Sequence, residues 1–399
     1  MSSGKSRIVL SKSLNCYEGE RGQKRHDDEV DDADVLNLMM ICCEERAPYG
    51  PAAVTANMFL ELFCEAYKRY YHEVSCCAPT GEERSSARHQ SKHSSIRITI
   101  YHAQSLDYPR ASEEWDSYDG VIIPGSFSTA YETHIEWIHR LQEVIQQEIH
   151  GKRRKALGVC FGHQCFAHSF GLRSSVQSDH QVFNESGTWQ QSKSIVSKGG
   201  LASKCTVGPI AGRKSFQLTD GGKILLGSAA SSRPKKNSHE KSNIAQPLKD
   251  CLELLYTRGD MVQSLPSVGI SLCGNEKLPN EACAYFASET DVMQFQNDAM
   301  KQCSNLSPLG EASTSWGQVL DKTVLPYAIT FQAHPEYVTQ TGRKVNYVNT
   351  VKAMEEHGII SEETAKVACE DAIVYYNALS GDSLDAIVSV GVILGWFRQ

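Results

Sequence analysis

The order of apolar segments along this chain predicts an α/β fold, in which a doubly wound, mostly parallel sheet carries helices on both faces. Short apolar runs typical of buried strands alternate with longer segments whose apolar residues recur every three or four positions. Parallel neighbours need helical crossovers between them, and those helices cover both faces of the sheet. With 399 residues, 41% of them hydrophobic, the chain can bury one large core or two smaller ones.

The first part of the chain supplies most of this alternation. Residues 1–34 are expected to form a disordered arm, because residues 18–34 are almost wholly charged. The segment at 79–95, rich in Ser, Arg, His and Glu, is predicted to be an inserted loop. Strands are predicted at 35–41, 96–101 and 121–123. Amphipathic helices are predicted at 57–71 and 136–149.

The rest of the chain contains less regular segments. Polar strands and turns are predicted at 176–220. Two low-complexity inserts are predicted at 229–248 and 287–320. An apolar strand that ends in His334 and an amphipathic helix at 361–379 complete the pattern. We therefore expect one domain over 35–355, followed by a helical extension at 356–399 whose last five residues have no predicted structure.

Composition narrows the classes of function. A net charge of −7 gives no electrostatic reason to expect a nucleic-acid partner, and no apolar run approaches the roughly 18 to 20 residues that span a bilayer. The chain has 14 cysteines but no signal-peptide pattern at its start, which favours a reducing, cytoplasmic location. No Cys-x-x-Cys pair occurs, so neither a structural zinc nor another cofactor is expected.

Cys160 is the first candidate for chemistry, because it lies between an apolar run and an amphipathic segment, with Gly158 and Gly162 two positions away on each side. This spacing is typical of a nucleophile elbow after a central strand, a sharp turn whose strained backbone requires small neighbours. The following helix N-terminus favours a reactive thiolate. The alternative is an inert cysteine in the core.

His334 and Glu336 are the second candidates, because the apolar strand predicted from residue 327 ends in His334 and Glu336 follows two residues later. On an extended segment, residues two apart point to the same side, so the carboxylate can orient the imidazole. Together with Cys160 they supply the parts of a Cys-His-Glu triad, in which His334 takes the thiol proton. Alone, His334 would suit a surface histidine beside a turn.

The two segments together resemble the class I glutamine amidotransferase family. Residues 158–164, GVCFGHQ, are close to the nucleophile motif of that family, and residues 333–336, AHPE, reproduce its histidine and glutamate motif. The resemblance covers roughly residues 36–350. It implies a flavodoxin-like α/β fold, a γ-glutamyl thioester on Cys160, and a role for Gln164 in holding the substrate.

A third segment extends the resemblance. Residues 118–127, YDGVIIPGSF, resemble the oxyanion strand and loop of the family. By resemblance, the turn at Gly125 and Ser126 supplies one backbone N–H to the developing oxyanion, and Phe161 supplies its partner. Donors of this kind contribute roughly 3 to 4 kcal/mol each to transition-state stabilisation.

A fourth segment, residues 256–266, departs from the family pattern at one position. Arg258 stands where many members have histidine, in a segment that lies near the α-amino and α-carboxylate groups of glutamine in the family. Arg258 could clamp a carboxylate through paired hydrogen bonds, or it could solvate a strand end. The departure leaves the identity of the substrate open.

Three functions are compatible with these residues. The first is a stand-alone γ-glutamyl peptidase or hydrolase, a small-molecule enzyme with an intact triad and no attached synthase. The second is a glutaminase subunit that supplies ammonia to a separate synthase chain, because the sequence has no GxxxxGK[ST] phosphate loop and no pyrophosphatase loop of its own. The third is a non-catalytic binding or regulatory protein.

Overall fold

A ten-stranded sheet organises the molecule in this computed structural model, which describes residues 7–14, 35–76, 93–171, 181–183, 189–191, 199–227, 249–305, 320, 323–377 and 381–397. The strands in these residues are β1 Val9–Ser13, β2 Val35–Cys42, β3 Ser95–His102, β4 Gly120–Ile123, β5 Ala156–Val159, β6 Gln181–Phe183, β7 Trp189–Gln191, β8 Leu201–Lys204, β9 Ile210–Leu218, β10 Cys251–Arg258, β11 Asp260–Ser264, β12 Gly269–Gly274, β13 Ala282–Tyr285 and β14 Ala328–Phe331. The order in the large sheet is β1-β3-β2-β4-β5-β14-β13-β12-β9-β10.

The centre of this sheet is parallel. Strands β3, β2, β4, β5 and β14 run in one direction, with Ala156 of β5 opposite both Val121 and Ala328. Their carboxyl ends therefore share one edge, which is where ligand sites form in such sheets. The predicted α/β class with a doubly wound parallel centre is confirmed, and antiparallel strands extend it on both sides.

The helices among the described residues lie on both faces. They are α1 Ala52–Cys76, α2 Ser112–Asp116, α3 Glu136–Val144, α4 Phe161–Ser169, α5 Asp220–Gly222, α6 Glu289–Asn305, α7 Val348–Glu356, α8 Glu362–Asn377 and α9 Gly381–Ile393. Shorter 3₁₀ or π turns are Ala103–Ser105, Ile145–His150, Lys223–Gly227, Pro335–Val338 and Gly342–Tyr347. No helix in these segments combines the length and the apolarity needed to cross a bilayer.

Side chains of β2 alternate between two cores. Leu38 and Met40 belong to the core that α1 and α9 cover, whereas Met39 and Ile41 belong to the core beneath α3 and α4. A strand buried on both faces needs apolar residues at every position, which explains the continuous apolar run in the sequence. The same alternation leaves the strand ends as the place where polar side chains can meet.

Part of the arm predicted to be disordered is a strand. Val9–Ser13 pairs antiparallel with β3, and the N–H of Leu14 donates to the Ser94 carbonyl at 2.8 Å. The edge of β3 offers unpaired backbone groups, and a short alternating segment is enough to cover them. The prediction for 1–34 is therefore wrong at 9–13, and its residues 1–6 and 15–34 lie outside the described residues.

The predicted insert at 287–320 begins with a helix. Ser288 accepts a hydrogen bond at 3.2 Å from the N–H of Asp291, and Phe295 and Ala299 are buried against the core. A serine cap followed by apolar residues four apart is a helix signal that the polar composition concealed. The loop prediction is wrong for 289–305, while residues 306–319 lie outside the described residues.

The other predicted inserts are described only at their margins. Residues 77–92 and 228–248 lie outside the described residues, and Ser95, placed in the first insert, begins β3. Between 176 and 220, the strands β6 and β7 pair antiparallel, β8 pairs with β11, and β9 joins the large sheet. The predicted mixture of strands and turns is thus partly an extension of the main sheet.

The predicted helical extension belongs to the main core. Ile387 in α9 is fully buried in the same core as Leu38, and Trp396 and Phe397 lie in it as well. The Trp396 indole N–H donates to the Asp119 carbonyl at 3.0 Å. A boundary at 355 and 356 therefore does not separate two cores, because the last described residues complete the first one.

Candidate active site

Cys160 lies at a strained turn between β5 and α4. Its backbone has φ 51° and ψ −105°, a conformation that residues with a side chain rarely adopt. A Cβ on Gly158 would lie 2.8 Å from the Thr330 methyl group, and one on Gly162 would overlap the Ile123 carbonyl. The glycines on both sides of the cysteine are therefore required by close packing against β14 and the end of β4.

His334 and Glu336 lie at the carboxyl end of β14. The His334 Nδ1 is 2.7 Å from the Glu336 Oε1, and both side chains are almost fully buried. The predicted contact exists, but its geometry differs from the expectation. The strand ends at Phe331 and Glu336 lies in the 3₁₀ turn Pro335–Val338, so this turn, and not an extended segment, brings the carboxylate to the ring.

Gly125 lies where the groups that follow the central strands meet. A Cβ built on Gly125 would lie 3.1 Å from the His334 Cε1, 3.5 Å from the Cys160 Cβ and 3.0 Å from the Tyr49 hydroxyl. These groups follow β4, β14, β5 and β2, the central parallel strands. Thiol, imidazole and the glycine turn therefore meet around one point at the edge where the strands end.

The electrostatics of His334 are set by two neighbours. Complete burial lowers the pKa of its imidazole, but the Glu336 carboxylate, and after it Cys160, outweigh burial and raise this pKa to about 10. An imidazolium is therefore stable here near neutral pH, between a carboxylate and a sulfur atom. That is the charge distribution which results when a histidine takes the proton of a thiol.

The turn at Gly125 and Ser126 is held by Glu44, at the carboxyl end of β2. The Glu44 Oε2 accepts hydrogen bonds from the Ser126 hydroxyl and from the Phe127 N–H, each at 3.3 Å. Across the described part of the chain, the N–H groups of Ser126 and Phe161 form no hydrogen bond with protein atoms. Two backbone donors thus remain available beside Cys160.

Glu44 is itself balanced by Arg46. Although burial raises the pKa of Glu44, hydrogen bonds from the Arg46 side chain and backbone lower it below its ordinary value. The Arg46 Nη2 is 2.7 Å from the Glu44 Oε2. A carboxylate can therefore remain ionised next to the proposed oxyanion turn.

Gln164, expected to hold a substrate, is buried on α4. Its amide nitrogen donates to the Gln332 Oε1 at 3.2 Å, so the two side chains form a pair across the helix and the strand end. His163, its neighbour, is fully buried between Thr330 and the Asn280 carbonyl, and burial lowers its pKa to about 3. His163 is thus a neutral packing residue and not an acid or base at neutral pH.

Arg258 contacts a carboxylate of the protein and not solvent. Its side chain is fully buried, which rules out the solvation of a strand end, and its Nη2 is 2.8 Å from the Glu281 Oε1. Its Nη1 donates to the Asp260 carbonyl at 2.9 Å. Burial raises the pKa of Glu281 to about 7, although the Arg258 charge opposes this shift. The guanidinium is thus paired with a carboxylate of its own chain.

Sequence reasoning missed Glu44, Tyr49 and Glu281. Glu44 had a detectable signal, because it is an acidic residue placed directly after a buried parallel strand. The sequence around Tyr49 indicates only a turn, because Pro48 and Gly50 flank it. Glu281 precedes β13, a strand that the sequence did not predict. Groups of three or more potential metal ligands do not occur among the described residues.

Residues 84–354 match the profile of the family described as glutamine amidotransferase class-I. A provisionally named glutamine amidotransferase of Saccharomyces cerevisiae is 30% identical over 79 residues, and gamma-glutamyl peptidase 3 of Arabidopsis thaliana is 49% identical over 49 residues. Those alignments cover 19% and 12% of this chain, and only 32% and 19% of the two relatives.

A solved glutamine amidotransferase from Thermotoga maritima aligns with 90% of this chain and 98% of its own, at 14% identity and a TM-score of 0.47. The family profile covers more than half of the sequence, including every candidate site residue from Gly125 to Glu336. On that match, the chain belongs to the class-I glutamine amidotransferase family.

Proposed function

We propose that this chain hydrolyses γ-glutamyl C–N bonds, with Cys160 as the nucleophile, and that it acts as a stand-alone γ-glutamyl peptidase. The observation that carries the proposal is the convergence of Cys160, His334 and Gly125 around one point, with Glu336 at 2.7 Å from His334. A nucleophile, a base, an orienting carboxylate and an oxyanion turn are the parts that acyl transfer needs.

The reaction starts at the thiol. His334 takes the Cys160 proton, the thiolate sulfur attacks the γ-carbonyl carbon, and the C=O electron pair moves to oxygen. The N–H groups of Ser126 and Phe161 stabilise this oxyanion. As the carbonyl re-forms, the C–N bond breaks, the nitrogen takes its proton from the His334 imidazolium, and a γ-glutamyl thioester remains on Cys160.

Water completes the cycle. His334 removes a proton from the water molecule, whose oxygen attacks the thioester carbonyl. Collapse of the second tetrahedral intermediate expels the Cys160 sulfur, which recovers its proton from His334, and releases glutamate. Glu336 keeps the Nδ1 of His334 hydrogen-bonded throughout, so that the other ring nitrogen handles the protons.

The choice of a peptidase has its own support. A relative named gamma-glutamyl peptidase 3 shares 49% identity with this chain, although over only 49 residues. Arg258 also replaces the histidine that many family members have beside the α-amino and α-carboxylate groups of glutamine. A glutaminase subunit remains the second reading, with a separate synthase chain as its partner.

The test is glutamate release from free glutamine, γ-glutamyl dipeptides and glutathione conjugates, measured for the wild type and for Cys160→Ala. We expect peptide turnover well above glutamine turnover, and a loss of at least about 10³-fold in the variant because the nucleophile is gone. Cys165→Ala is the matched control, since Cys165 is a fully buried thiol on the same helix.

Turnover of glutamine alone would favour the ammonia-donating subunit over the peptidase. No turnover of any γ-glutamyl compound, or equal turnover in Cys160→Ala and the wild type, would contradict the proposed chemistry. Equal loss in Cys165→Ala would attribute the effect to packing of α4 and not to the nucleophile.

A further inference from the structure

A buried tyrosine on the loop after β2 reaches the same point as the triad. Tyr49 is 4% exposed, and its hydroxyl lies 3.0 Å from the position that a Cβ on Gly125 would occupy. That position is also 3.1 Å from the His334 ring and 3.5 Å from the Cys160 Cβ. The phenol therefore belongs to the group of side chains that surrounds the proposed reacting atoms.

The ring and the backbone of Tyr49 are each held by a contact. It packs edge-on against Phe127, with ring centroids 4.9 Å apart and an interplanar angle of 78°. The Tyr49 carbonyl accepts a hydrogen bond from the Asn346 side chain at 3.4 Å. A hydroxyl on a ring that packing holds in place is positioned before any substrate arrives.

The same carboxylate anchors both the tyrosine loop and the oxyanion turn. Glu44 accepts hydrogen bonds from the N–H and guanidinium of Arg46, three residues before Tyr49, and from the N–H of Phe127, directly after Ser126. The two loops are thus joined through one side chain.

The protonation state of Tyr49 suits a donor. Burial, and after it the neighbouring charges of Tyr337 and Cys160, raise the pKa of its phenol well above the ordinary value. The hydroxyl therefore keeps its proton wherever a cysteine hydrolase works. It can donate a hydrogen bond to an anion, but it cannot act as a base.

We propose that Tyr49 is a further catalytic residue, whose hydroxyl donates a hydrogen bond to the oxyanion formed when Cys160 attacks the γ-carbonyl. This inference rests on the proposed function, and it adds a side-chain donor to the backbone donors of Ser126 and Phe161. The position of the phenol against the Gly125 turn favours contact with the carbonyl oxygen. No proton is transferred, so the bonds made and broken are those of the reaction already described.

The test is steady-state kinetics of Tyr49→Phe on the best γ-glutamyl substrate. Removing one preorganised donor from an oxyanion site typically lowers kcat by about 10²- to 10³-fold, because the bond forms fully only in the transition state. We expect a kcat loss of that size, with KM changed less than about twofold. Tyr108→Phe is the matched control, since Tyr108 is also a buried tyrosine and lines a separate cleft beside Trp115.

A second measurement separates oxyanion stabilisation from positioning of the thiol. Iodoacetamide alkylates Cys160 by a displacement that forms no oxyanion, so the alkylation rate of the Cys160 peptide should stay within about twofold of wild type in Tyr49→Phe. An active wild type with an equally active Tyr49→Phe would overturn the inference alone. A parallel loss of alkylation would also overturn it, because Tyr49 would then act on the thiol. An inactive wild type would overturn the proposed function and this inference together.

Discussion

His334 is the residue on which charge, burial and proposed chemistry depend most directly. Its ring has no exposed surface, and the Glu336 carboxylate at 2.7 Å is the largest influence that raises its pKa, to about 10. In the unfolded chain the same imidazole has a pKa near 6.5. The folded state therefore binds the proton more tightly than the unfolded chain. The resulting stabilisation of the fold is fully present below about pH 6.5 and is lost as the pH rises through about 10.

Replacing Glu336 by Gln should lower the pKa of His334, because the lowering effect of burial stays while the carboxylate charge is removed. We expect kcat for γ-glutamyl hydrolysis to fall by about 10²- to 10⁴-fold without complete loss, as for orienting carboxylates in other triads. The alkaline limb of the kcat profile should also move to lower pH. The stability difference between wild type and variant should be larger at pH 6 than at pH 10, measured by chemical denaturation.

Glu143→Gln is the control for this prediction. Glu143 also lies beside a histidine, 3.9 Å from the His139 Nδ1, but on an exposed helix surface where solvent screens the charge. Its replacement should change neither kcat nor the pH dependence of stability. Unchanged γ-glutamyl hydrolysis by the Glu336→Gln variant would refute the triad assignment.

Residue types and spacing allowed part of this site to be predicted. Gly158 and Gly162 point to the elbow because their spacing around Cys160 is local in sequence, although the groups that leave no room for a Cβ lie on β14 and β4. Tyr49 could not be assigned from its neighbours, since its role depends on Gly125 and His334, which are distant in the chain. The buried state of Arg258 was equally hidden, because its partner Glu281 precedes a strand that short-range patterns did not reveal.

At the scale of elements, the parallel centre was predictable and the antiparallel part was not. Strands β2, β4, β5 and β14 are mostly apolar runs buried on both faces, and β3 alternates isoleucine with polar residues; both patterns are visible in the sequence. Outer strands such as β9 alternate between buried and exposed residues, so that polar side chains mask them. The helix α6 was missed for the same reason, since much of its surface is exposed.

The Arg258 and Glu281 pair ties the end of β10 to the start of β13, and replacing Arg258 by Met should weaken that link in a pH-dependent way. Breaking a buried pair by removing one partner typically costs about 3 to 5 kcal/mol of unfolding free energy. Without Arg258, which opposes the burial effect, the pKa of Glu281 should rise above about 7. Near pH 5, Glu281 is neutral in the wild type and in the variant, because this pH lies below its pKa in both. The loss of unfolding free energy should therefore be smaller at pH 5 than at pH 8.

Chemical denaturation at pH 5 and pH 8 measures this difference. The control is Arg140→Met, the same substitution in an exposed pair with Glu143, which should change the unfolding free energy by less than about 1 kcal/mol at either pH. Adding Glu281→Met to Arg258→Met should recover much of the stability at pH 8, because no buried charge remains. An equal loss at both pH values would contradict the linkage to Glu281.

At the scale of the whole molecule, Trp396 and the candidate site lie at opposite ends of β4. The segment 381–397 packs on the core beside α1, beyond the span that matches the family profile. Trp396 contacts Gly120 and Asp119 at the amino end of β4, whereas Gly125 follows the carboxyl end of the same strand. Stability and proposed catalysis should therefore respond separately to changes at the two ends.

Trp396→Ala tests this separation. Its side chain is 1% exposed, its ring packs edge-on against Phe63 at 5.5 Å, and its indole N–H bonds the Asp119 carbonyl. Removing a buried tryptophan typically costs about 3 to 5 kcal/mol, and here an acceptor also loses its donor. We expect a loss of that size in the unfolding free energy, while kcat of the folded fraction stays within about twofold of wild type. Val367→Ala, at a half-exposed position on α8, should change the unfolding free energy by less than about 0.5 kcal/mol. A fall in kcat equal to that of Glu336→Gln, at a temperature where Trp396→Ala remains folded, would show that the two ends of the sheet are coupled.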